Sequence, residues 1–176
     1  MTGKLLVAHP SILGDQSFGR SVVLMTEHND ESSMGFVVNQ HTHYNLSDLL
    51  PELGVDAPVF QGGPVDDDTL FYVHTKQDVA DAKPLGNGLF WGGDLDDIKL
   101  ALLSNTLPTN EIKFLLGYAG WNAGQLTEEV KTNAWILVKN NFNLFENEEQ
   151  LWGSVLRGLG GELSLYAYAP TFPGLN

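Results

Sequence analysis

EIKFLLGYAGWNAGQLTEEVKTN, residues 111–133, decides the fold class. Its first part is strongly apolar, as in a strand buried on both faces at the centre of a sheet. A glycine-bearing turn follows, then a polar segment with helical spacing. Asn122 and Gln125 stand at capping-box spacing, which predicts Asn122 as the N-cap and Gln125 reaching back to it. Glu128 and Glu129 then fall early in the helix, near its positive end.

Working outward towards the N-terminus, DLDDIKLALLSN (residues 94–105) predicts a second helix. Asp94 is its N-cap, Asp97 lies in its first turn, and Leu95, Ile98, Ala101 and Leu102 recur at helical spacing. Before it, GLFWGG, TLFYVH and PVFQGG read as strands, the last two flanking a Gly-Gly-Pro turn. NLSDLLPELG is a short helix, and the Asn, Gln and Thr around His41 and His43 read as a polar loop. SVVLMTEH and MGFVVN form a hairpin about NDESS, preceded by a strand at KLLVAH. Towards the C-terminus, WILVK is a strand and NEEQLWGSVLRGLG a helix. The tail, LYAYAPTFPGLN, carries too much proline to be regular throughout. Strands dominate the first half and alternate with helices in the second. The expectation is a single compact α+β domain over residues 1–176.

Charge bounds the function. Nine Lys and Arg stand against 22 Asp and Glu in 176 residues, a formal net charge of −13. A nucleic-acid binder gains much of its affinity from basic side chains on phosphates, and the few here are scattered, so no direct nucleic-acid partner is expected. The absence of cysteine removes disulfides, thiolate nucleophiles and Cys-ligated zinc. The N-terminus does not read as a secretory signal, and no apolar run approaches the ~20 residues of a membrane span. The expected location is cytoplasmic, without membrane contact.

Several constellations bear on chemistry. QGGPV allows close backbone approach at Gly62 and Gly63, while Pro64 fixes its own φ. Such a turn either cradles an anion or turns a corner, and Asp66, Asp67 and Asp68 directly after it repel phosphate. Those acids become an apolar run too soon for a calcium loop. LLGYAGWNAGQLTEEV has the strand–glycine–helix layout of a phosphate loop, but its spacing fits neither the dinucleotide fingerprint nor the Walker pattern. Tyr118 and Trp121 flank that turn and either floor a pocket or close the core. His41 and His43 lack a third ligand, and no metal or cofactor is expected. His28 and His74 each end an apolar strand and would form a polar site with Asp15 and Asn39 if their strands were neighbours. Leu70, Tyr72 and His74 alternate onto one face, which predicts His74 at a cleft or its rim. The candidate cleft is therefore Asp15, His28, Asn39, Gly62, Gly63, Pro64, His74, Tyr118, Trp121 and Gln125. No catalytic set emerges, and no G-x-S-x-G elbow exists. The favoured reading is a non-enzymatic regulatory or interaction domain with a protein partner or small ligand. The alternative is an enzyme, such as a hydrolase using His28 or His74 with a carboxylate.

The chain also resembles the AlgH/YqgE family of bacterial proteins over almost its full length. The resemblance rests on LLVAHPSILGDQSFGRSVVLMTEH, MGFVVNQ, QGGPVDDDTLFYVH and LLGYAGWNAGQLTEEVKTNAWI, with their order and spacing. It implies an α+β fold with a mixed, partly barrel-like sheet flanked by helices. The AlgH name comes from a proposed regulatory role in alginate production, written as transcriptional regulation. With no helix-turn-helix and no basic face, such a role would pass through a partner or a small ligand. Relatives often carry a histidine near a final Pro-Gly. This chain has Ala169-Pro170-Thr171-Phe172-Pro173-Gly174 there, which removes a role for a C-terminal histidine.

Overall fold

A computed structural model describes residues 1–169; the Pro-rich end of the tail, with the departure at residues 170–174, lies outside them. Residues 112–122 form the central strand that their apolar pattern predicts. β1 (Leu5–Ala8), β2 (Val22–His28) and β3 (Ser32–Val37) form an antiparallel meander. β4 (His41–Asn45) and β5 (Pro58–Gln61) follow around α1 (Leu46–Leu49) and a 3-10 turn at Pro51–Leu53. β6 (Val65–His74), β7 (Lys83–Gly86), β8 (Leu89–Trp91), α2 (Leu95–Leu103), β9 (Ile112–Asn122), α3 (Gln125–Lys131), β10 (Trp135–Val138), α4 (Glu148–Leu159) and α5 (Gly161–Tyr166) complete the order.

The main sheet runs β10-β1-β2-β3-β9-β6-β8-β7, with β5 added to β9 and β4 added to β5. It is mixed, since β5 pairs with β9 in parallel and the other pairs are antiparallel. The α+β class is as expected. The barrel-like closure is not: β10 and β7 lie at opposite ends of the strand order, and the sheet stays open. The extra strands branch off β9 instead of joining the two edges.

β9 explains the layering. Leu115, Ala119 and Trp121 point into one apolar cluster with β1, β2, α3 and α4. Ile112, Phe114 and Leu116 point into a second cluster with α1 and α2. Both faces of the strand are therefore buried, which is what its near-continuous apolar run requires. Lys113 is the exception within it. It is 3% exposed, yet its Nζ donates to Val38 O at 2.8 Å and to Glu148 at 3.1 Å and lies 3.7 Å from the Phe60 ring centroid. Burial pulls its pKa down to about 8, against the opposing pull of Glu148.

Two strands escape the periodicity reading. Residues 41–45 pair with β5 although they read as a polar loop, because tertiary pairing overrides their low strand propensity. Residues 83–86 pair with β8 at the sheet edge, where Pro84 is tolerated. Among the described residues, no helix is long and apolar enough to cross a membrane.

Candidate functional site

Gly62 and Gly63 carry the chain across β9. β5 occupies one edge of β9 at Phe114–Leu116, and β3 occupies the continuation of that edge at Ala119–Asn122. β6 lies on the opposite edge. The link between β5 and β6 must therefore pass over the β9 backbone. A Cβ on Gly62 would sit 2.3 Å from Gly117 O, and one on Gly63 (φ +155°) 2.1 Å from Tyr118 C. Gly117 (φ +72°) answers them, since its own Cβ would sit 2.4 Å from Gly63 O. Gly62 N donates to Leu116 O and Val37 N donates to Gly62 O, so the crossing is stitched to both neighbours. Both glycines are buried and Pro64 is exposed. The turn packs backbone on backbone.

His28 and His74 do not share a site. β2 and β6 are separated by β3 and β9. His28 pairs with Ser33, opposite Trp121 near the C-terminal end of β9, whereas His74 pairs with Ile112 at its start. A strand of that length separates them by roughly 30 Å. His28 Nδ1 lies 2.7 Å from Ser33 Oγ beside a small recess that Asp30 also lines. His74 is fully buried, in contrast to its expected place at a cleft or rim. Its Nε2 donates to Gly92 O at 3.0 Å, and its ring stacks on Phe90. Tyr72 OH donates to Gly93 O. Together they fasten the Gly92-Gly93 turn that leads into the α2 cap, where Asp94 accepts from Asp97 N as expected. Burial lowers the His74 pKa, opposed by the backbone carbonyls of Gly92 and Lys76. Nδ1 makes no hydrogen bond of normal geometry.

Asp15, Trp121 and Gln125 do come together. They line a cleft of about 320 Å³ with Phe18, Glu129 and Trp135. Asp15 Oδ1 accepts from the Ser17 and Phe18 amides, each at 2.8 Å, and so shapes the loop that presents the Phe18 ring. Phe18 meets Trp135 edge-on at 5.6 Å, and Trp135 meets Trp121 edge-on at 6.0 Å. Glu129 binds both indoles: Oε2 accepts from Trp121 Nε1 at 2.8 Å and Trp135 Nε1 at 2.9 Å. Its Oε1 accepts from Gln125 Nε2 at 2.9 Å. Gln125 in turn accepts from the Asn122 amide at 3.0 Å. Gln125 thus reaches back as predicted, but Asn122 ends β9 and the N-cap position falls to Gly124. Tyr118 lines an adjoining recess that shares Gly120 and Trp121, and packs edge-on against Phe71.

Asn39 belongs elsewhere, clamping the backbone of residues 20–22 beside a separate cleft. Sequence reading missed Glu129 as the centre of the aromatic cleft. Its available signal is the Gln125–Glu129 spacing of four, which puts both on one helix face. The His41 and His43 rings pack tilted against Phe60 and Tyr44 respectively. Among the described residues, no group of three or more His, Asp or Glu side chains is placed to hold a metal.

The family model described as AlgH-like matches residues 5–164. A UPF0301 protein of Chlorobaculum parvum is 39% identical, the match covering 99% of this chain and 95% of that protein. One of Bacteroides fragilis is also 39% identical, over 99% and 90%. Among solved structures, the Pseudomonas aeruginosa AlgH protein superposes with a TM-score of 0.71 at 30% identity, covering 96% of this chain and 93% of that one. A Corynebacterium diphtheriae protein superposes at 0.72 with 25% identity, covering 94% and 91%. With a family model matched across nearly its whole length and relatives this similar over 99% of it, the chain belongs to the AlgH-like family.

Proposed function

We propose that this protein is a non-enzymatic regulatory domain that binds a small ligand or a partner's side chain in the Phe18–Trp121–Trp135 cleft. The observation that carries this reading is the Glu129 carboxylate, which accepts three N–H bonds, two of them from the indoles that wall the cleft. A carboxylate has about four acceptor sites, so most of its capacity goes to fixing its neighbours. Glu129 is thereby an anchor for a preorganised wall. Apolar walls with a few fixed polar groups are what binding clefts use, and rigid aromatic walls lose little entropy on binding. Any regulatory effect passes through that ligand or a protein partner, not through direct contact with nucleic acid.

Trp121 and Trp135 are built-in reporters. A metabolite and peptide panel titrated against the full chain should include a ligand that changes tryptophan emission saturably. Phe18→Ala should weaken that ligand at least tenfold, while its melting temperature falls by no more than a few degrees for the lost edge-on contact with Trp135. Unaltered affinity in Phe18→Ala, or a panel and a lysate pull-down that both yield nothing, would overturn the reading.

The enzyme alternative has one observation on its side, the 2.7 Å contact between His28 Nδ1 and Ser33 Oγ. The two residues are directly opposed in the β2–β3 register, so strand pairing already accounts for the contact. A hydrolase panel comparing wild type with Ser33→Ala decides it. Activity lost in that variant supports the enzyme, and equal activity removes the pair.

A further inference from the structure

The chain has two arginines, Arg20 and Arg157, in a molecule of formal charge −13, and both line one cleft of about 520 Å³. The backbone at Arg20 is unusual. Seven described non-glycine residues have positive φ; six are Asn or Asp, which tolerate that region, and Arg20 (φ +61°) is the other. Strain of this kind persists where the surroundings impose it, and it concentrates at functional sites. Here Asn39 imposes it: its Nδ2 donates to Arg20 O and its Oδ1 accepts from Val22 N, both at 2.9 Å. Gln40 Nε2 adds a 2.7 Å bond to the buried Ser21 hydroxyl. The guanidinium lies 5.0 Å from the ring centroid of buried Trp152, and Nη2 donates to Ala169 O at 3.0 Å.

The other wall is built by α4. Gly153 stands one turn before Arg157, inside a helix where glycine costs stability. A Cβ there would lie 3.4 Å from Arg157 Nη1 and 3.3 Å from Ala167 O. The missing side chain lets the Ala167 carbonyl approach α4 closely, and beside it the Arg157 guanidinium donates to Ser154 Oγ at 3.0 Å. One of its five donors is used in that bond. Among the described residues, the lining carries these two guanidiniums and one carboxylate, Glu149.

We propose that this cleft binds a small organic oxyanion, a phosphate or a carboxylate, held by Arg20 and Arg157, with Asn39 as the residue that positions Arg20. Guanidinium recognises both groups through paired N–H bonds. The formal net charge of −13 disfavours long polyanions, whereas a small anion needs only the local pair. This site is separate from the aromatic cleft, and neither depends on the other.

The test is calorimetric titration of the full chain at low salt with inorganic phosphate and, separately, succinate, with sodium chloride of equal ionic strength as the control. At least one anion should bind saturably, and the tighter of the two names the class. Arg157→Gln should weaken it at least tenfold, and Arg157→Lys should recover only part of the loss because a point charge lacks the paired geometry. Asn39→Ala should weaken it in the same direction without removing a charge. Arg157 is exposed, so its variants should melt with the wild type in chloride. Saturable binding by neither anion, or equal affinity in Arg157→Gln, would overturn the proposal.

Discussion

At the scale of single residues, His74 is the strand-end histidine whose environment predicts a measurable pH effect. Its folded pKa is lowered from the ordinary 6.5 because its ring is buried. In the unfolded chain the imidazole takes up a proton near pH 6.5, while the folded ring stays neutral to lower pH. Its stabilising effect is therefore complete above pH 6.5 and lost as pH falls through the lower folded value. Urea unfolding at pH 7.5, 6 and 5 should show wild type losing more stability on acidification than His74→Phe. At pH 7.5 the variant should itself be less stable by about 1–2 kcal/mol, since the Gly92 carbonyl loses its donor. Parallel pH profiles would show that His74 does not carry the effect. The pattern of residues 69–74 foretold the face His74 shares with Tyr72, but not that both are buried there, with Tyr72 in the apolar cluster that α2 joins.

Between elements, the decisive event is the passage of the β5–β6 link over β9. The atoms that added Cβ groups would meet at Gly62 and Gly63 are backbone, which cannot rotate away as a side chain can. Gly63→Ala should cost at least ~2 kcal/mol, combining overpacking with an unfavourable φ. For a chain of this size that corresponds to a fall of roughly 4–8 °C in melting temperature. Gly14→Ala is the control, because a Cβ there meets nothing within 4 Å, and it should melt within about 1 °C of wild type. A Gly63→Ala protein that melts like the control would mean the crossing is not held by backbone contact. Both Gly-rich stretches, residues 61–65 and 117–120, stand out in the sequence. That they are two halves of one crossing could not be read there, because the match between Gly63 and Gly117 is a contact across 54 positions of chain.

For the molecule as a whole, charge makes the prediction. With 22 acids against 9 bases, and with Lys113 buried and ion-paired, few cations remain to neutralise phosphates. Duplex DNA should migrate unchanged with this protein even at ~20 mM salt, where electrostatic binding is strongest. A salt-sensitive shift would overturn that expectation. Net charge could be read directly because it is a sum, indifferent to folding. The α+β class, the central strand at residues 112–122, the β2–β3 hairpin and the Asp94 cap were equally legible, since each rests on periodicity or capping over a few neighbouring residues. The open edges of the sheet, the pairing of the polar β4, the burial of His74 and the grouping of sites were not. Of the ten candidate residues, Asp15, Trp121 and Gln125 meet around Glu129, Asn39 serves the arginine cleft, and His28 and His74 lie level with opposite ends of β9. Local sequence determines which way a side chain alternates along its own strand. Which strands become neighbours is decided by packing two apolar faces of β9 at once, and that is a property of the whole chain.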